Sequence, residues 1–271
     1  MRVSDIFEAT FNTDEIVDYI YDNVFADYIK KIQEWKNGKT TNEPVIISNK
    51  TFEPEKLSKE IKDPVFKKAM KENPIKIKAG VRDGNYYYPT KHLISITFND
   101  ELYAMMNRYI SANKSFMEFI GNLPLALRKN ILTEVNGNKV KGSISHEISH
   151  WLDDTNNQKH ITKMINVAAG EQYHKQSKTF NRGEADQYMT DYEINAQTHA
   201  LKQLKRSIGQ EAWDKLTFND LYAIEPSLRV NKERISKISP EALKRFVKLT
   251  LRRMHRENLL GKNMTGRISP Y

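Results

Sequence analysis

Apolar residues recur every three or four positions through the first part of the chain: Ile16, Tyr19, Ile20, Val24, Phe25, Tyr28 and Ile29. Residues at that spacing share one face of an α-helix. The pattern predicts a helix capped by Thr13 and ended by Lys36-Asn37-Gly38-Lys39. A second helical stretch is expected from Pro54 to about Lys71, broken before Pro64 because proline has no amide to give to a helix interior. The period then changes. Residues 75–81 alternate apolar and charged side chains, and Leu93 to Phe98 is rich in β-branched residues; both read as strands. The Asp83-Gly84 pair between them is a turn signal, so an antiparallel pair is expected, with Tyr86 to Tyr88 beginning the return strand.

Helical spacing resumes after Asp100 and runs through Ile110, then again from about Pro124 to Val135. The loop Asn136-Gly137-Asn138-Lys139 leads into a further helix with Gly142-Ser143 at its start. From Asn156 to Thr190 the signal is weak, with one short helix expected around Met164, Ile165 and Val167. A connection of that length inside a domain is more often functional than idle. A helix follows from about Thr190 to Ile208. Ser239-Pro240-Glu241 opens the clearest helix of the chain, Ser as cap and Pro in the first turn, running to about Leu260-Gly261. The expected class is α+β: mainly helical with a small antiparallel sheet. Residues 1–73 read as a helical N-terminal region and residues 74–271 as the domain carrying the chemistry, or the two as one continuous domain.

Composition narrows the picture. The 39% hydrophobic and 28% charged fractions suit a water-soluble globular protein. No signal peptide is visible, and no apolar run is long enough to span a bilayer, so the expected setting is the cytoplasm. There is no cysteine, which leaves His, Asp and Glu as the strong metal ligands. The net charge of +9 would speed encounters with anionic partners. The excess sits late, in Arg229, Lys232, Arg234, Lys237, Lys244, Arg245, Lys248, Arg252, Arg253, Arg256, Lys262 and Arg267. It reads as the solvated outer face of an amphipathic helix. No nucleic-acid-binding motif accompanies it, so nucleic acid is not an expected partner.

The chemistry lies in His146-Glu147-Ile148-Ser149-His150. On a helix, residues four apart stand one turn apart on one face. His146 and His150 can therefore offer two imidazole nitrogens to one zinc ion. Glu147 lies beside the first of them, where its carboxylate can take a proton from water activated by the ion. Ile144, Ile148, Trp151 and Leu152 give the segment an apolar face.

A catalytic zinc needs a third protein ligand. Asp153 and Asp154 follow His150 closely, and either could accept the second N–H of a ligand histidine without touching the metal. Further candidates are His160, His174, Glu184, Asp186, Asp191, Glu193 and His199. Glu193 stands near the start of a predicted helix, and Ala196 beyond it is small enough to let that helix come close. Thr190-x-x-Glu193 also reads as a capping box, in which the carboxylate would only bond the helix's first amides. Spacing leaves both readings open.

His-Glu-x-x-His followed by a distant Glu-x-x-Ala resembles the gluzincin arrangement among the zincin metallopeptidases. His146 to Asp154 looks like the active-site helix of the lethal-factor-like peptidases, and Tyr192-Glu193-Ile194-Asn195-Ala196 is similar to their second motif and to one in small zinc peptidases encoded by bacteriophages. The likeness covers about Gly142 to Leu204. It implies a zincin-like fold, Zn2+ held by His146, His150 and Glu193, Glu147 as general base, and hydrolysis of peptide bonds, with endopeptidase action expected. Such peptidases often supply a Tyr or His donor to the oxyanion. Among Tyr188, Tyr192, His174 and Arg182, Tyr188 is the expected donor.

The resemblance also implies an extended peptide lying along a sheet edge, with Leu93 to Phe98 the nearest strand, and the segment from Asn156 to Gly183 serving as a lid. The basic and aromatic content of that segment suits a polar or acidic substrate. The expected partners are a peptide or protein substrate and, on the phage likeness, a larger virion-like assembly; no membrane is implied. On that likeness the setting would be a host cytoplasm or a virion. The alternative reading is a metal-binding structural protein of the virion that keeps the fold without turnover.

Overall fold

In the computed structural model, residues 13–39, 43–44, 46–81, 84–98, 100–123, 128, 137–156, 191–237 and 240–264 are described. Their backbone falls into two compact units, 1–147 and 148–271. The division lies inside one continuous helix, and the boundary expected near residue 73 falls within the first unit.

The first unit opens with α1 (Asp14–Val24) and α2 (Ala26–Lys36). These occupy the span read as one helix. The break is at Phe25, whose backbone (φ −114°, ψ −24°) departs from helical values. Ile16, Ile20, Tyr28 and Ile29 are all within 1% of full burial, as the spacing required, while Tyr19 is only partly buried. Thr13 does not cap α1. It has helical backbone angles and makes no side-chain cap bond, and its hydroxyl is used elsewhere. Strand β1 (Lys50–Phe52) and helices α3 (Pro54–Glu60) and α4 (Pro64–Glu72) follow. The break before Pro64 is present, with Asp63 Oδ1 accepting from the Phe66 amide at 2.7 Å.

The sheet contains β2 (Lys76–Val81), β3 (Tyr86–Tyr88) and β4 (Leu93–Phe98) in the order β1-β2-β4-β3. It is mixed, where a purely antiparallel sheet was expected. β2 and β4 run parallel, with Ile77 opposite Ile94 and Ala79 opposite Ile96. β3 pairs antiparallel with β4 on the far side, and β1 antiparallel with β2. The physical reason is a second reversal. After β3, Pro89–Lys91 forms a 3-10 turn and His92 takes left-handed angles (φ 45°, ψ 50°), which turns the chain back into the middle of the sheet. Gly80 is required in β2 because a Cβ there would overlap the Asn49 side chain, whose Oδ1 accepts from the Val81 amide at 2.8 Å.

Helices α5 (Asp100–Ser111) and α6 (Phe116–Asn122) complete the packing of this unit. Ser115 and Glu118 form a reciprocal capping box at the start of α6. Trp35 meets Phe116 edge-on at 5.0 Å. Its indole N–H donates to the Lys114 carbonyl at 2.8 Å, which satisfies the one polar group of a buried ring.

Helix α7 (Gly137–Asn156) carries the chain across the division. In the second unit come α8 (Asp191–Ile208), α9 (Gln210–Lys215), α10 (Phe218–Ile224), α11 (Pro226–Ser236) and α12 (Pro240–Arg256). Their core contains Leu201, Trp213, Leu221, Leu228, Phe246 and Met254, all essentially inaccessible. The basic residues of α12 do not all form a solvated face: Arg253 is only 8% exposed. Among the described residues no helix is long and apolar enough to cross a membrane. The helices expected over 124–135 and around 164–167, Asp83, the Ser239 cap and Arg267 lie outside the described residues.

Candidate metal centre

Helix α7 begins at Gly137, five residues before the expected Gly142-Ser143 start. Val140, Ile144, Ile148, Trp151 and Leu152 are buried along it, three of them completely. This is the apolar face expected from the spacing. Polar contacts fix its N-terminal half in the first unit. Lys141 Nζ lies 2.8 Å from Asp18 Oδ1 and 4.7 Å over the Tyr21 ring. The hydroxyls of Ser145 and Thr13 are 3.1 Å apart and buried. Gly137 sits where a Cβ would come within 2.5 Å of the Tyr21 hydroxyl, so a side chain there would have to push the end of that ring aside.

With α7 held this way, His146 and His150 stand one turn apart on a continuous helix. Each offers a ring nitrogen, Glu193 at the start of α8 offers a carboxylate oxygen, and the three atoms all lie within 4.8 Å of one another. Glu193 Oε1 is 3.6 Å from His150 Nε2. Three ligands at zinc's usual ~2.1 Å in a tetrahedral set stand about 3.4 Å apart. One pair already has close to that separation, and the widest needs to close by little more than ~1 Å. The donor set therefore fits a divalent ion: two nitrogens and one oxygen, without a thiolate. His150 is 6% exposed and Glu147, beside His146, is 7% exposed.

Burial pushes the Glu193 carboxyl up to about 7. Without metal, the folded chain therefore keeps a proton between the ordinary Glu range and about pH 7 that an unfolded chain would release. As pH rises through this window the apoprotein loses that contribution to stability. A divalent ion that takes Glu193 as ligand must displace the proton. Zinc binding at pH 6 is expected to release protons, seen as a calorimetric enthalpy that changes with the ionisation enthalpy of the buffer. An enthalpy identical in all buffers would contradict this use of Glu193.

The other sequence candidates separate clearly. His199 lies on α8 outside the convergent group. Asp191 and Tyr192 belong to the first turn of α8, and their side chains are outside what is described. Tyr188, His160, His174, Arg182, Glu184, Asp186 and Thr190 lie outside the described residues, as does the expected lid over 157–183. Asp153 or Asp154 was expected to be able to support a ligand histidine; both oxygens of Asp153 accept from Asn195 Nδ2, at 2.8 Å each, and Asp154 is buried. Leu93 to Phe98 was expected as the nearest strand for an extended peptide; β4 pairs with β2 along its length and with β3 over residues 93–95, and beyond them the Thr97 amide donates to Asn85 Oδ1 at 2.6 Å.

The sequence reading missed a polar chain that ties the ligand-bearing parts of the second unit together. Arg253 Nη2 donates to Asn195 Oδ1 at 2.6 Å and lies 3.3 Å from Glu257 Oε1. Lys202 closes on Glu257 Oε2 at 2.7 Å. Asp153 is three residues beyond His150 and Asn195 is two beyond Glu193, so the chain fixes α7 to α8 beside two of the ligands and braces both from α12. Removing one member of a buried charged network leaves the others desolvated. Arg253→Met, which keeps the apolar stem, is expected to lower stability by about 3 kcal/mol in urea unfolding and to weaken metal binding with it. A change below about 0.5 kcal/mol, the range of ordinary surface substitutions, would remove Arg253 from the site's support.

No model of a known protein family matches the chain, and no curated protein and no solved structure matches it.

Proposed function

We propose that the chain is a zinc-dependent peptidase of the zincin kind, on the strength of one observation: His146, His150 and Glu193 converge while Glu147 stands buried on the same helix. Two imidazoles and a carboxylate suit zinc and leave a position open for a small ligand. When bound, the ion would supply a Lewis acid for a water and a substrate carbonyl. Glu147 then accepts the proton of the attacking water and passes it to the leaving amine. A site that merely held a metal in place would have no use for this carboxylate. Tyr188 remains the proposed donor to the carbonyl oxygen, on the family resemblance.

The test is metal removal. The full chain is stripped with a chelator, and its action on a broad peptide mixture is followed by mass spectrometry of new termini. The expected outcome is cleavage by the zinc-restored protein and none by the stripped protein. A protein that holds one zinc per chain and yields no new termini would bind metal without being a peptidase.

A further inference from the structure

Helices α10, α11 and α12 line a partly open cavity of about 400 Å³ in the second unit, within the usual range of small-molecule sites. Phe218 and Tyr222 line it, packed edge-on at 5.3 Å. One wall is a row on α12, Leu243, Val247 and Leu251, each four residues after the last and each only partly buried. A second row runs beside it one position on: Lys244, Lys248 and Arg252. Lys232 of α11 completes the rim, with its ammonium 4.1 Å over the Tyr222 ring.

Among the described residues no carboxylate lines this cavity. The four cations have no ion pair or hydrogen bond among the described residues, and neither does the Tyr222 hydroxyl, although it is buried. Apolar walls left open to water carry a cost when the cavity is filled only by solvent, and the four like charges around them repel one another. One kind of ligand relieves both. We infer that the α10–α12 cavity binds a single-chain anionic amphiphile, with its alkyl chain against Phe218, Leu243, Val247 and Leu251 and its head among Lys232, Lys244, Lys248 and Arg252. The concave shape favours an inserted chain over a flat bilayer surface, and the uncompensated rim requires the negative head. This site is independent of the metal centre.

Calorimetric titration of the full-length protein tests the inference, using octanoate, decanoate and dodecanoate below their micelle concentrations. One molecule should bind per chain, with affinity rising about fourfold per added methylene. Dodecyl phosphate should bind comparably or better, whichever head is the tighter naming the natural one. Dodecanol should bind at least about tenfold more weakly, since it lacks the charge-assisted contacts. The double variant Lys244→Glu/Lys248→Glu should lose dodecanoate binding by a similar factor while keeping its far-UV circular dichroism. Absence of saturable binding, or equal affinity for dodecanol and dodecanoate, would overturn the inference. So would binding to phosphatidylglycerol vesicles with none to the monomeric amphiphiles, which would mark a lipid-surface contact, or capture of an acidic amphipathic peptide in their place.

Discussion

A Glu147→Gln chain is expected to keep its metal and lose peptide cleavage by two to four orders of magnitude, roughly what a positioned general base contributes. Glutamine has nearly the same shape, so the buried position of Glu147 is refilled without a cavity. It cannot take a proton. Because Glu147 is outside the convergent ligand group, zinc content and melting temperature should stay at wild-type values while kcat/KM collapses. The kinetic signature is specific: kcat should fall with little change in KM, as when an interaction made only in the transition state is removed. A variant that cuts within a factor of about ten of wild type would take Glu147 out of the reaction.

His150→Ala is expected to weaken zinc binding on the order of a thousandfold, about one ligand's share of a protein zinc site. His150 is the inner ligand, 6% exposed, and its Nε2 faces Glu193 at 3.6 Å. Its loss would leave two donors, His146 and Glu193, in the group. Competition against a chromophoric chelator gives the affinity directly. Glu193→Ala should show a loss of the same order. Tight zinc retained in that variant would move the third ligand away from α8. Restored binding when imidazole is added to His150→Ala would separate a missing ligand from a damaged fold.

The buried face of α7 could be read from the sequence because helical periodicity is a local property. Ile144, Ile148, Trp151 and Leu152 are buried as their spacing required, and the same holds for Ile16, Ile20 and Val24 of α1 and for Tyr28 and Ile29 of α2. Glu193 was visible only as one of two readings, since a capping carboxylate and a ligand carboxylate occupy the same position near a helix start. Its distance to His150 depends on how α8 meets α7, which is a tertiary fact. The sheet failed for a related reason. Asp83-Gly84 suggested one reversal, but the pairing of β2 with β4 depends on a second one at His92, whose left-handed backbone no apolar pattern announces.

Arg253 shows the limit of charge patterning. Next to Arg252 in sequence it reads as one more cation on an outer face. One position on a helix turns the side chain by about 100°, enough to bury Arg253 against Asn195 and Glu257 while Arg252 stays on the rim of the cavity. Some signals were present and passed over. Ser115-x-x-Glu118 and Thr217-x-x-Asp220 both form capping boxes, but the helices they begin have seven residues each, too few for a clear apolar period.

The convergence of His146, His150 and Glu193 on one ion is tested most directly by anomalous scattering above the zinc edge, from crystals of zinc-loaded protein. A single strong peak is expected, about 2.0–2.2 Å from a ring nitrogen of His146, a ring nitrogen of His150 and a carboxylate oxygen of Glu193. No peak at His146, or a peak there whose third protein ligand is a residue other than Glu193, would contradict it.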